Sequence, residues 1–190
     1  MEESPMRSKI IQAANRLFVM NGYHAISMRE IGEACGISKA ALYYHFKDKE
    51  ALFLAVLDDY LDEMGAIIQV LHTTETRARP RLTAFVRAIF AQPVERRAII
   101  RLASQDFGQL SREAQAAFGQ TYQEKFIGRI VAWMEEGMAS GEIRTCNPGM
   151  AAWIFLGMLY PFFYPSQSQA FMSVDAPEVV EIFLDGLGAG

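Results

Sequence analysis

SMREIGEACGISKAALYYHFKDK, residues 27–49, holds two short helical patterns separated by a glycine-bearing turn. Ser27 stands three residues before Glu30, the spacing of a capping box, so a helix is predicted from Met28 onward. Met28, Ile31 and Ala34 give that helix one apolar face. Gly36 interrupts it, Ile37 is placed to fill the angle, and Ser38 can cap a second helix running to about His45. Ala34 and Ala41 are small enough for the two axes to cross closely. Ser38, Lys39, Tyr43, Tyr44, His45 and Lys49 cannot all be buried in so short a stretch. They combine donors that reach phosphate with edges that reach bases, which is what a helix needs to lie in a DNA major groove.

The pattern extends outward as helices. Residues 7–20 place Ile10, Ala13, Ala14, Leu17 and Phe18 at helical spacing, and Asn21-Gly22 ends that element. Asp48 can cap a third pattern, with Glu50 near the positive end of its dipole. It carries Leu52, Val56, Leu57, Tyr60, Leu61 and Met64 on to about Leu71. A polar linker, His72 to Arg79, is expected next, then helices at about 81–91 and from Pro93 to about Gln105. Ser111 and Glu113 open the longest pattern, which runs to about Ala139 and stops at Ser140-Gly141. Asn147-Pro148 starts a helix that is apolar almost all round, and Pro161 should kink or end it. Ser166 to Ser173 reads as a loop, and Asp175, Pro177 and Glu178 open a last helix reaching Leu187. The expected fold is all-α with about nine helices.

Composition narrows the function. The chain has 190 residues and carries a net charge of −4. Residues 1–50 hold seven Lys or Arg against six Asp or Glu, and the remainder eleven against sixteen. A DNA-binding surface must therefore be local, with Lys39, Lys47 and Lys49 clustered at the second short helix. Two cysteines, Cys35 and Cys146, suggest neither a disulfide framework nor a thiolate metal site. The apolar run Met150–Tyr164 is broken by Gly157 and Pro161 and is too short to span a bilayer, and the start of the chain has no secretory pattern. A cytoplasmic protein with no membrane partner is the expectation. The three histidines, His24, His45 and His72, stand in no nucleophile or zinc-protease context, so no enzyme, metal or cofactor is expected. A helical adaptor protein is the other class considered, but it would not need Tyr43, Tyr44 and Lys49 beside Ser38-Lys39.

Residues 7–53, with the matching text IIQAANRLFVMNGYHAISMREIGEACGISKAALYYHFKDKEALF from Ile10 to Phe53, resemble the N-terminal domain of the TetR/AcrR family of one-component transcriptional regulators, most specifically in ISKAALYYHFKDKEAL. The resemblance implies a helix-turn-helix DNA-binding domain at 1–50 and an effector-binding and dimerisation domain at 51–190. It implies a homodimer on double-stranded operator DNA, most simply a repressor, although activation can use the same dimer. Residue by residue, it makes Ser27 a helix cap that touches phosphate and Gly36 the turn glycine. Ser38, Lys39, Ala40 and Ala41 open the recognition helix, Tyr43 and Tyr44 are its aromatic pair, His45 follows, and Lys49 is a phosphate contact. Arg29 is a further DNA candidate or a solvated side chain. Ala40 and Ala41 depart from the family's usual glycine and threonine, which removes a hydroxyl and leaves methyl groups to meet thymine.

The larger domain is rich in aromatics and Met, which can line an adaptable apolar site. Candidate effector residues are Phe85, Ile89, Phe107, Tyr122, Phe126, Trp133, Trp153, Met158 and Phe162, for each of which the core reading weighs at least as much, together with the polar Arg101 and Gln105 on otherwise apolar helices. Arg96 and Arg97 with Arg101 can meet an anionic end group, or form a face paired with Glu95 and other acids. A hydrophobic small molecule is the expected effector, with a fatty acyl-CoA as the leading candidate and aromatic or multidrug-like compounds as the alternative. The helices at 148–164 and 175–187 are too apolar for surface helices, which points to pairing across a two-fold axis, with Phe183 or Leu187 central.

Overall fold

The computed structural model describes residues 4–163 and 174–186. The expected loop Ser166–Ser173 and the contact residue Leu187 lie outside the described residues. Ten helices follow in order: α1 Pro5–Asn21, α2 Met28–Cys35, α3 Lys39–His45, α4 Lys49–Thr74, α5 Ala78–Ala91, α6 Val94–Asp106, α7 Arg112–Tyr122, α8 Gly128–Ala139, α9 Pro148–Leu159 and α10 Ala176–Asp185. Helices α7 and α8 are joined without a break by a π-turn, Gln123–Ile127, so the described residues form nine helical rods. The fold is all-α.

Helix ends follow local chemistry. Pro stands in the first turn of α1, α9 and α10, where the missing N–H costs nothing. The α2 cap is a full capping box: Ser27 Oγ accepts from the Glu30 amide, and the Ser27 amide donates to Glu30 Oε2 at 2.7 Å. Gly36 takes the left-handed conformation, φ 67°, that ends α2. Ser38 caps α3 by accepting from the Ala41 amide at 3.2 Å, and Asp48 caps α4 by accepting from the Ala51 amide at 2.7 Å. Helix α9 stops at Leu159 and tightens into a 3-10 turn over Tyr160–Phe163, because Pro161 cannot continue the α ladder.

Two sequence expectations need correction here. The linker His72–Arg79 is mostly helical, since α4 runs on to Thr74 and α5 begins at Ala78, leaving Glu75–Arg77 between them. Polar residues at 72–79 signalled solvent exposure rather than the absence of helix. Ala34 is exposed and does not form the crossing of α2 with α3. Gly32 takes that place: a methyl group there would stand 3.3 Å from the Ile37 carbonyl oxygen and 3.7 Å from Leu42 Cδ2. Cys35 is buried beside this face, and burial raises its thiol pKa.

The chain divides into two units, one formed by Met1–Asp62 with Ala98–Thr121, the other by Glu63–Arg97 with Tyr122–Gly190. It passes between them within α4, within α6 and at the end of α7. In the first unit α1 packs on α2 and α2 on α3. Its core includes Ile10, Phe18, Ile31, Leu42, Leu52 and Phe53, with the Phe18 and Phe53 rings edge to face at 5.6 Å. In the second unit α8 packs on α9 and α5, and α5 packs on α10. Its core centres on Phe85, whose ring meets Trp133 at 5.7 Å, Phe126 at 6.2 Å and Phe155 at 6.3 Å. Phe183 is half-buried and its ring meets Phe155 at 5.1 Å.

Candidate functional site

Helix α3 has a single fully buried anchor, Leu42. With one side chain holding the helix down, Lys39, Ala40, Tyr43 and Tyr44 turn outward. Tyr44 is 86% exposed and Tyr43 43% exposed, unusual values for rings of this size. Ser38, Lys39 and Ala40 are exposed, and Ala41 and His45 half-buried. The Lys39 ammonium lies 5.7 Å from the centre of the Tyr43 ring, and Tyr44 meets His45 edge to face at 5.3 Å. The Ser38 hydroxyl at its cap, an ammonium and two phenols thus share one short helix. Nearby, Lys47 is exposed, and Arg29 is exposed with its guanidinium 3.6 Å from Glu33.

Lys49 is placed differently from the other cations. Its ammonium donates to the carbonyl oxygens of Tyr23 and Ile26, each at 2.9 Å, and lies 4.3 Å from the Tyr23 ring centre. Burial lowers its pKa against the opposing pull of Asp106 and Glu30. Burial also raises the Tyr23 phenol, with Glu50, Asp48 and Asp106 adding to the shift. Glu50 accepts from both the amide and the hydroxyl of Ser111, at 2.7 and 2.8 Å. Lys9 donates to the Cys35 carbonyl at 3.0 Å, at the end of α2. These ties join residues 23 to 61 apart in sequence, a separation that no helical period reports.

The effector candidates fall in both units. Phe85, Ile89, Tyr122, Phe126, Trp133, Trp153, Met158 and Phe162 belong to the second, and Arg101, Gln105 and Phe107 to the first. Phe85, Ile89, Phe126 and Trp133 are buried. Tyr122 joins them through Phe126 at 5.5 Å and meets Trp153 at 6.2 Å, and burial pushes its phenol pKa up to about 12. Trp153 itself is 55% exposed. Phe162 meets Phe90 edge to face at 6.3 Å, and Met158 is half-buried. In the first unit, Phe107 meets Phe118 and Gln105 is exposed. Of the arginines, Arg96 is paired with Glu63. Arg97 lies 5.1 Å over the Phe90 ring, and the buried Nε atoms of Arg97 and Arg101 each lack a hydrogen-bond partner among the described residues.

Comparison with known proteins places the chain. A family model described as bacterial regulatory proteins, tetR family, matches residues 10–56, and one described as tetracyclin repressor-like, C-terminal domain, matches residues 75–161. The transcriptional repressor KstR2 of Mycolicibacterium smegmatis is 30% identical over 138 residues, covering 73% of this chain and 67% of that protein. The chain belongs to the TetR family. The transcriptional activator FasR of the same organism is 45% identical over 85 residues, which cover 44% of this chain but only 38% of FasR. A solved TetR-family regulator from Rhodococcus RHA1 superposes with a TM-score of 0.77 at 25% identity, over 98% of this chain and 99% of that one. As a TetR-family member the chain uses α2 and α3 as its helix-turn-helix, and the longer family match, residues 75–161, spans α5 to α9. Among the described residues no three His, Cys, Asp or Glu are grouped to hold a metal ion, and no helix is long and apolar enough to cross a membrane.

Proposed function

We propose that this chain is a ligand-responsive repressor that leaves a palindromic operator when a hydrophobic small molecule binds. The observation that carries the DNA reading is the surface of α3, with Lys39, Tyr43 and Tyr44 turned outward on a helix anchored by Leu42. Residues 1–50 would form the DNA-binding domain and residues 51–190 the effector-binding and dimerisation domain. In the first, Ser38, Ala40, Ala41 and His45 share the recognition helix, while Ser27 and Arg29 open α2 for backbone contact. A homodimer is supported by α9, where Met150, Trp153 and Ile154 are 63, 55 and 53% exposed on one apolar face. KstR2 is named a repressor and FasR an activator, so relatives carry both signs of control.

For the effector, the aromatic cluster around Phe85, Phe126, Trp133 and Tyr122 suits an apolar ligand. The unpaired Nε of Arg97 suits an anionic end group, which favours a long acyl chain as its coenzyme A thioester. Aromatic or multidrug-like compounds are the second reading, favoured by the number of rings in that cluster. Duplexes selected from genomic DNA by the wild-type chain should bind with strong salt dependence. Lys39→Ala should lower the slope of log affinity against log salt by about one, and Tyr44→Ala should weaken binding. Selection that returns no salt-sensitive duplex would overturn the DNA reading. Titration of acyl-CoAs and of aromatic hydrophobes, into free protein and into the operator complex, should give weaker binding to the complex. Equal affinities would remove the coupling.

A further inference from the structure

We propose that Lys49 and Glu50 form a two-sided latch on the first turn of α4, through which the start of α7 positions the loop that presents Ser27 and α2. The inference rests on the DNA-binding reading above and makes Lys49 a positioning residue rather than the phosphate contact that the family resemblance implies. An ammonium has three donors. Two of them are spent on the carbonyls of Tyr23 and Ile26, and the Tyr23 ring covers one side of the charge. Ile26 immediately precedes Ser27, whose capping box sets the start of α2. Lys49 therefore fixes where α2 begins.

Glu50 holds the other side. Both of its carboxylate oxygens are used on one residue, Ser111. The same Ser111 hydroxyl accepts from the Ala114 amide at 3.2 Å and caps α7. Between the two ties, the Asp48 carboxylate fixes the Ala51 amide, so residues 48–51 move as a rigid turn. A displacement of the α7 start is then passed through Glu50 to Lys49 and on to Ile26. Every group in this chain of contacts belongs to the first unit.

Ser111→Asp tests the latch, because Asp still caps α7 but sets a carboxylate against Glu50. In the full chain it should speed amide hydrogen exchange at Tyr23–Ser27 and weaken binding to the selected duplex about tenfold. The salt slope should stay as in the wild type. Adding Glu50→Gln, which removes the repulsion and supplies an amide donor, should restore most of both. Glu50→Gln alone should give the same changes at smaller size, and it serves if Ser111→Asp does not fold. Lys49→Ala should loosen the same amides with the salt slope retained. Wild-type exchange at residues 23–27 in the Ser111 and Glu50 variants would overturn the latch, as would a slope lowered by about one in Lys49→Ala. If the wild type binds no duplex, the DNA reading fails and the exchange measurement still decides the latch.

Discussion

Arg81 donates from Nη1 to Oε2 of Glu136 at 2.5 Å, joining α5 to α8 across 55 residues of sequence. The arginine is only 5% exposed, and its Nε donates to the Glu75 carbonyl at 2.8 Å while the guanidinium lies 5.5 Å from the Trp133 ring centre. Glu136 is half-exposed and stands 3.8 Å from His72 Nδ1 as well. The pair thus fixes the turn between α4 and α5 against α8.

Removing the two partners should have unequal effects. Glu136→Ala leaves a buried guanidinium short of its acceptor and should cost about 2 kcal/mol in a denaturant titration. Arg81→Met frees a carboxylate that water can reach and should cost less. The reverse order would show that packing of the arginine stem, not its charge, is what matters.

Gly128 and Gly119 should respond oppositely to a methyl group. At Gly128 a Cβ would stand 2.9 Å from the Gln123 carbonyl oxygen, the acceptor of the π-turn, so Gly128→Ala must shift backbone and should lower the thermal midpoint. At Gly119, in α7, a Cβ meets nothing within 4 Å. Gly119→Ala should therefore gain up to about 1 kcal/mol from helix propensity. Equal gains at both sites would mean that the π-turn is not held by Gly128.

Glu30 should make the stability of the first unit depend on pH. Hydrogen bonds from the Ser27 hydroxyl and then the Ser27 amide hold its carboxyl below the ordinary value of 4.5. A folded pKa that is depressed adds stability above the unfolded pKa and loses it as pH falls through the folded pKa. The thermal midpoint of the wild type should thus exceed that of Glu30→Gln at pH 7, and the gap should close on acidification below about pH 4. Ser27→Ala should lower the midpoint by about 3 °C at neutral pH. A gap that widens in acid would contradict the capping-box origin of the shift.

Pairing should depend on α9 rather than on Phe183. Trp153→Glu or Ile154→Glu puts a charge on the exposed apolar face and should convert a dimer to a monomer in sedimentation without lowering helix content. Phe183→Glu attacks the contact with Phe155 and should instead destabilise the chain itself. Sedimentation of the wild type as a monomer at micromolar concentration would remove the dimer.

Ser27, Gly36, Ser38, Asp48, Asn147 and Asp175 were legible as helix punctuation because a cap is a contact within four residues, and sequence order places both partners. The outward face of α3 was legible for a related reason: a seven-residue helix with one leucine anchor has nowhere to hide two tyrosines and a lysine. Local text also gave the long α7–α8 pattern, although not its π-turn, which depends on one carbonyl meeting one glycine five residues on. Tertiary structure alone decided that Gly32 rather than Ala34 lets α2 meet Leu42. It alone bent Phe183 inward to Phe155, tied Arg96 to Glu63, and spent Lys49 on two carbonyls 23 and 26 residues away. Hydrophobic period and capping are properties of neighbours along the chain, whereas a long flexible cation or a ring takes whichever acceptor or face the packed helices bring within reach.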